Sequence, residues 1–427
     1  MKKIKAVIMG FGDRGQVYAE YAEKRPDVFE IAGVVDPDPV RVEKAKKRYN
    51  LKEEYCFTDP AEFYARDKFC DAVINATMDS LHYATTAPLL EKGYNVLLEK
   101  PVSSNPSELR DLARRAKENG VTLMVCHVLR YAPFYREIKK VILSGEIGDI
   151  RHIYLAENVA VYHMLSSYIR GKWSSESECG SGMLMAKCCH DLDLAVWLKG
   201  NSRPKAVTSV GSRRFFNAAN KPAGGGTRCL TDCRIERECP YSCRKLYLEN
   251  DVYPFLVWTG VEGKDWSEVT DLKEREELLK TVNPHGKCCF EDKDLVDQQS
   301  VLILFGDGST ATLDMIGGVT RPGRNIHIVG ETGEIEGFLE DNVFFTRKYL
   351  PETTGYSETK TIITEDVSGA HSGGDLRLVK DFVATVSGGE RSPSCTDIED
   401  SIDGHLVAVA AEISRKTGKT VFTDMLV

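Results

Sequence analysis

The sequence predicts an α/β fold in two parts: a doubly wound parallel sheet, then a second and larger α/β domain. Three observations lead there. Short apolar runs of strand length alternate with helical patterns up to about residue 126. A glycine-rich turn joins the first strand to the first helix. At 427 residues the chain is too long for one ordinary core. We place the division at residues 1–126 and 127–427.

Composition narrows the field. A formal net charge of -8 without any Lys/Arg block gives no electrostatic reason to expect nucleic acid. No run of about 18 apolar residues occurs, and Met1-Lys2-Lys3-Ile4-Lys5 leads directly into a strand pattern without a signal-peptide core. A cytoplasmic protein with no membrane partner is expected. Thirteen cysteines in a large chain favour free thiols or a metal over a disulfide framework.

The first strand, Ile4 to Met9, runs into Gly10-Phe11-Gly12-Asp13-Arg14-Gly15 and then a helix through Val17, Tyr18, Tyr21 and Ala22. The three glycines suit a dinucleotide fingerprint: one for the tight turn, one for pyrophosphate approach, one for helix packing on strand. The helix N-terminus then offers free N–H groups to phosphate. A second strand, Phe29 to Val35, ends in Asp36, about 20 residues past the glycines, where a carboxylate holds a ribose 2'-hydroxyl. Asp36 therefore points to NAD, while nearby Arg41 leaves NADP open; a helix cap before Pro37 is the other use for Asp36.

The alternation continues. Val42 to Tyr49 reads as helix, Asp71 to Ala76 as strand, His82 to Lys92 as helix and Tyr94 to Leu98 as strand. Thr77 and His82 follow a strand end, so they either line the nicotinamide side or, for His82, cap the helix. Glu99-Lys100-Pro101 sets an amine just beyond a buried strand, and Pro101 keeps it out of helix. Beyond the carboxyl ends of the strands is where such sheets receive ligands. A helix starting at Asn105 and a strand from Val121 to Cys126 follow, ending in His127-Val128-Leu129-Arg130-Tyr131. Glu99, Lys100 and Arg130 complete the cofactor candidates with Gly10, Phe11, Gly12, Arg14, Gly15, Asp36, Thr77 and His82.

This set of features resembles the glucose-fructose oxidoreductase, inositol dehydrogenase and MocA (Gfo/Idh/MocA) family. The glycine turn, the Glu99-Lys100-Pro101 run, the strand ending in His127 and Arg130-Tyr131, then Pro133, Ile147-Gly148 and a helix bearing a histidine carry the likeness. It implies an N-terminal Rossmann domain and a C-terminal α/β domain with an open, mostly antiparallel sheet. It implies that Lys100 contacts a substrate hydroxyl and the nicotinamide ribose, that the substrate is a sugar or cyclitol alcohol, and that the second sheet's exposed face forms a homodimer or homotetramer.

The histidine helix is Gly182 to Leu198, with Gly200 as its stop. Lys187, His190 and Asp191 share a face at spacings of three and four. The family usually carries an aspartate four residues before the histidine, and this chain has Ala186 there. The acid's role passes to Asp191 or Lys187. Hydride leaves a carbinol only as its hydroxyl proton is removed, so either Lys100 or His190 is the base.

Between these landmarks His127, His163, Tyr168, Arg170 and Trp173 make a polar and aromatic mixture suited to a polyhydroxylated substrate, with Arg170 able to hold a carboxylate. Residues of about 213–290 look like a Cys-rich insertion. In it Cys229, Cys233, Cys239 and Cys243 are separated by three, five and three residues. Four thiolates suit a structural zinc, but the spacing is looser than the usual knuckle and favours unligated thiols. Strands at Gln299 to Phe305, Ser309 to Met315 and Asn325 to Val329 extend the second sheet; His371 to Asp375 precedes a helix from Leu376 to Val386, so His371 either enters the active-site rim or belongs to a helix-capping loop. The expected activity is hydride transfer from a secondary alcohol of a sugar, sugar acid, cyclitol or glycoside. The alternatives are glycoside hydrolysis through a transient keto-sugar and a non-catalytic dinucleotide-binding regulator.

Overall fold

A computed structural model describes residues 2–426. The first sheet has six parallel strands: β1 (Ile4–Met9), β2 (Phe29–Val35), β3 (Cys56–Phe57), β4 (Ala72–Asn75), β5 (Asn95–Leu98) and β6 (Leu123–Val125). Their spatial order is β3-β2-β1-β4-β5-β6, so the chain reverses direction of growth between β1 and β4. β4 is buried throughout and β5 from Val96 onward because helices cover both faces of the sheet, which separates two apolar clusters. In doubly wound sheets such a reversal, past the carboxyl ends of β1 and β4, is where a ligand crevice lies.

The second sheet has nine strands: β7 (Ile150–Ala160), β8 (Pro204–Ser212), β9 (Gln298–Phe305), β10 (Thr310–Val319), β11 (Gly323–Gly330), β12 (Gly333–Phe338), β13 (Val343–Leu350), β14 (Gly355–Ile362) and β15 (Val421–Phe422). They are ordered β14-β13-β12-β11-β7-β10-β9-β8-β15. Only the β7–β10 pair is parallel among these described strands; the rest are antiparallel. One face carries the helices Met183–Lys199 and Ile398–Thr417 over the largest apolar core. The other face is open, as the strict exposed-buried alternation of β9 records, with Val210, Leu302, Leu304 and Ile316 exposed on it.

Residues 213–296 leave between β8 and its partner β9 and fold around a small core of their own, centred on Tyr247 and Trp258. Near the C-terminus the chain returns to the first sheet. Leu378, Val379 and Phe382 of the Gly374–Val386 helix join the apolar cluster on one face of the first sheet, where the helix packs against the Asp13–Lys24 helix, and Val125 donates to the Thr396 carbonyl at 2.8 Å. This return brings residues 371–400 alongside the crevice.

Candidate active site

The glycine turn is required by geometry. Gly10 has a φ of +88°, and a Cβ there would sit 2.5 Å from the Ala76 carbonyl oxygen at the end of β4. A Cβ on Gly15 would sit 2.0 Å from the Gly10 oxygen, so the first helix can press onto the turn only with glycine there. Gly12 has nothing nearer than an Arg41 nitrogen at 3.7 Å, which leaves the phosphate-facing side of the turn clear. Asp36 is buried, and its two carboxylate oxygens accept from the amides of Phe11 at 2.7 Å and Asp38 at 2.9 Å. The Phe11 amide and Asp36 carboxylate thus brace the loop and hold Asp36 at its rim, with Arg41 3.8 Å away. Thr77 bonds Asn75 at 2.9 Å just past β4, on the same edge of the sheet.

The next loop is a network. Buried Glu99 accepts from Arg14 at 2.8 Å, Tyr18 at 2.6 Å and the Lys100 amide at 2.8 Å, while Arg14 also bonds Asp375. Arg14 and Glu99 therefore position the Lys100 loop. His82 places one ring nitrogen 2.6 Å from the Pro101 carbonyl and the other 3.1 Å from the Thr77 carbonyl. It neither caps its helix nor exposes a free nitrogen toward a cofactor; it ties the two loops together, which corrects the expectation.

Lys100 crosses from this loop to the second domain. Its Nζ donates to the Ala186 carbonyl at 2.9 Å, one turn before His190 on the Met183–Lys199 helix. Burial works against the ammonium, but the Cys189 thiol, Glu99 and Asp79 outweigh it, and the net shift is upward. Lys100 is therefore a cation, not a neutral base. His190 is 4% exposed and neither ring nitrogen has a protein partner. Burial, then Lys100, His371 and His127, drive its pKa far below the ordinary value, so it is a neutral imidazole with a free acceptor.

Beside His190 lies a charged group that sequence reading found only in part. Lys187 sits 3.2 Å from Glu157, and Arg324, at the start of β11, lies 2.7 Å from Glu157 and bonds Asp191 at 2.8 Å. Burial raises the Asp191 carboxyl to about 6, against the opposing pull of Arg324. Asp191 and Lys187 are thus bound into ion pairs, and neither orients His190. Arg324 and Glu157 were missed because each is an isolated charge in a strand; the one local signal is Gly323, whose φ of +139° precedes Arg324.

Other candidates divide. His163, Tyr168 and Trp173 form an aromatic wall, with centroids 5.7 Å and 6.3 Å apart, and Trp173 donates to Asp79 at 3.3 Å. His163 is held neutral mainly by burial, then by the cations Lys187 and Arg324. His127 is buried, 6.1 Å from the His190 ring.

Two arginines belong elsewhere. Arg130 makes a two-pronged pair with Asp193, its Nε at 2.7 Å and Nη2 at 2.5 Å, and also donates to the Cys395 and Asp400 carbonyls. Its donors are spent on scaffold, not cofactor. Arg170 turns into the insertion, donating to the Lys287 and Tyr241 carbonyls at 2.7 and 2.8 Å, with Cys229 Sγ at 3.7 Å. It holds no substrate carboxylate. Of the four cysteines spaced as candidate zinc ligands, Cys229, Cys233 and Cys239 share a cavity wall with Cys288 and Cys289. Among the described residues no three His, Cys, Asp or Glu side chains are placed to hold a metal.

Comparison with known proteins decides the family. Residues 4–127 match the oxidoreductase family's NAD-binding Rossmann fold, and residues 139–423 match its C-terminal alpha/beta domain. The chain belongs to the Gfo/Idh/MocA oxidoreductase family. As a family member it is an enzyme with an NAD-binding Rossmann domain, and the glycine turn with Asp36 fits that cofactor. The chain is 27% identical to putative oxidoreductase YteT of Bacillus subtilis over 83% of this chain and 82% of that protein. It is 28% identical to the scyllo-inositol 2-dehydrogenase (NADP(+)) IolW of the same organism, over 48% of this chain and 54% of IolW. Levoglucosan dehydrogenase, solved with NADH and levoglucosan, shares the fold at a TM-score of 0.69 and 16% identity, covering 99% of this chain and all of that one. Among the described residues no helix is long and apolar enough to cross a membrane.

Proposed function

We propose that this Gfo/Idh/MocA oxidoreductase oxidises a secondary alcohol of a sugar, sugar acid, cyclitol or glycoside with NAD. One observation carries the reading: a cationic amine from the nucleotide-binding half and a neutral, unpartnered imidazole from the other half sit one turn apart on the same helix, Lys100 at the Ala186 carbonyl and His190 four residues on. NAD supplies the hydride acceptor when bound. Lys100 donates to the carbinol oxygen and stabilises the negative charge that develops there. His190 takes the hydroxyl proton, since its depressed pKa leaves it unprotonated at neutral pH. His163, Tyr168 and Trp173 cover the apolar C–H faces of the ring, while Lys187 and Glu157 offer hydrogen bonds to its other hydroxyls.

The names of its relatives favour the same class, since IolW is an inositol dehydrogenase and the structural neighbour acts on levoglucosan. Asp36, fixed by two amides at the loop rim, supports NAD over NADP. The open face bearing Val210, Leu302, Leu304 and Ile316 supports a homodimer or homotetramer through the second sheet. Thirteen unpaired thiols support a reducing, cytoplasmic setting.

The experiment is a panel of sugars, cyclitols, uronates and glycosides incubated with NAD or NADP while nicotinamide absorbance and aglycone release are followed. NADH formed in proportion to ketone is the expected result. Aglycone release with no net NADH would replace the dehydrogenase with a redox-neutral hydrolase; inertness toward the whole panel would remove the catalytic reading.

A further inference from the structure

We propose that His371, held by Asp375, is a positioning residue that acts through His190: it receives the proton that His190 takes from the alcohol and passes it to water. This rests on the functional reading above and adds a second imidazole in series to it.

The need is set by His190 itself. Its ring is 4% exposed, has no hydrogen-bond partner on either nitrogen, and no carboxylate orients it. Ala186, one turn earlier, offers only its carbonyl, and that is taken by Lys100. Asp191 is taken by Arg324. An imidazolium formed there would be buried and would face the charges of Lys100 and Arg324, so the proton must move on before the next turnover.

Two imidazoles flank it. His127 leads inward: its ring is 6.1 Å from His190 and 5.3 Å from His405, and both His127 and His405 are 1% exposed. His405 ends that line, because one ring nitrogen accepts from the Val102 amide at 3.0 Å and the other faces the Ser401 carbonyl at 2.9 Å. His371 leads outward. Its ring is 5.5 Å from that of His190, and its side chain is 27% exposed, so it touches both the buried ring and water. Its Nδ1 lies 3.2 and 3.3 Å from the two Asp375 oxygens. With Nδ1–H donated there, Nε2 is left as an acceptor; burial pulls the ring's pKa below its ordinary value, and the Asp375 carboxylate partly offsets this by favouring the imidazolium.

The backbone holds the ring in place at a cost. His371 has φ 51° and ψ 39°, and Ser372 has φ 52° and ψ 42°, both left-handed, between Gly369 at +88° and Gly373 at +76°. Gly374 follows, where a Cβ would lie 2.2 Å from the Val128 carbonyl oxygen, so the segment is pressed against the turn after β6. The groups facing His371 are Asp375 beside it, His190 from the Met183–Lys199 helix, Arg14 from the Asp13–Lys24 helix, Arg324 from β11, and His163. The protons balance: the carbinol hydrogen leaves with its bonding electrons to oxidised nicotinamide, the hydroxyl proton passes to His190, then through a water spanning the gap between the two rings to His371 Nε2, then to bulk water.

The test is His371→Gly, since glycine adopts a φ of +51° without strain and the variant is expected to fold. Asp375→Asn is the second variant. Once wild-type turnover is established, His371→Gly should bind NAD within about threefold of wild type yet lose about 10²-fold in kcat. The solvent deuterium isotope effect should rise, the effect of deuterium on the carbinol carbon should fall, and added imidazole should restore much of the rate. Asp375→Asn should lose less and show no imidazole rescue. Wild-type kcat and isotope effects in His371→Gly would overturn the relay, as would a loss accompanied by weakened NAD binding and no rescue. Absence of wild-type turnover on every polyol would instead overturn the functional reading on which the relay stands.

Discussion

Arg130→Met separates a scaffold from a cofactor ligand. In the folded chain Arg130 is 2% exposed and Asp193 is 1% exposed, and they form a two-pronged pair that also draws in the Cys395 and Asp400 carbonyls. That pair joins the turn after β6, the His190 helix and the returning C-terminal segment. Removing the guanidinium leaves a buried carboxylate without its counter-ion, which costs about 3–5 kcal/mol. Arg130→Lys keeps the charge but not the fork, so it should recover only part of this. The double variant Arg130→Met with Asp193→Leu removes both charges and should fall between wild type and the single variant. Burial raises the Asp193 carboxyl even with Arg130 present. Without Arg130 the shift grows; a raised folded value means stability highest in acid, so the deficit should be larger at pH 8 than at pH 5. Urea unfolding at both pH values and NAD titration of the folded protein give the two readouts. Arg130→Met with normal stability and NAD binding weakened by tenfold or more would refute the scaffold assignment.

Two further outcomes follow. Asp36→Ala should weaken NAD by about 10- to 100-fold, the loss of about 1.5–3 kcal/mol from one charged hydrogen-bonding group, and narrow the preference over NADP; titration with both cofactors checks it. Asp191, whose folded value near 6 lies above the unfolded one, contributes stability in acid that is lost as pH rises to about 6. Asp191→Asn should flatten the stability-versus-pH curve below pH 6, measured by urea midpoints, while an unchanged slope would place the carboxyl's titration elsewhere.

What was legible in the sequence was local. Gly10, Gly12, Gly15 and Asp36 announce themselves because turn geometry and the end of β2 fix them within one βαβ unit. Lys100 was legible because Pro101 and the apolar run before it mark a strand end. Arg130 and Arg170 misled because arginine advertises charge, not its partner, and their partners Asp193 and Tyr241 stand 63 and 71 residues away. β7, the strand at the middle of the second sheet, was missed because it is buried from Leu155 to Glu157 without alternating, so no period of two appears. Glu157 and Arg324 were lost with it, since their pairing across β7 and β11 exists only in the assembled sheet.

The central claim is that Lys100 and His190 act on one carbinol. A double-mutant cycle on kcat, using Lys100→Met, His190→Asn and the pair with the preferred polyol and NAD, tests it most directly. The account predicts that each single variant loses roughly 10²- to 10⁴-fold and that the double variant loses far less than the product of the two. Losses that multiply, or a near-normal rate in either single variant, would contradict it.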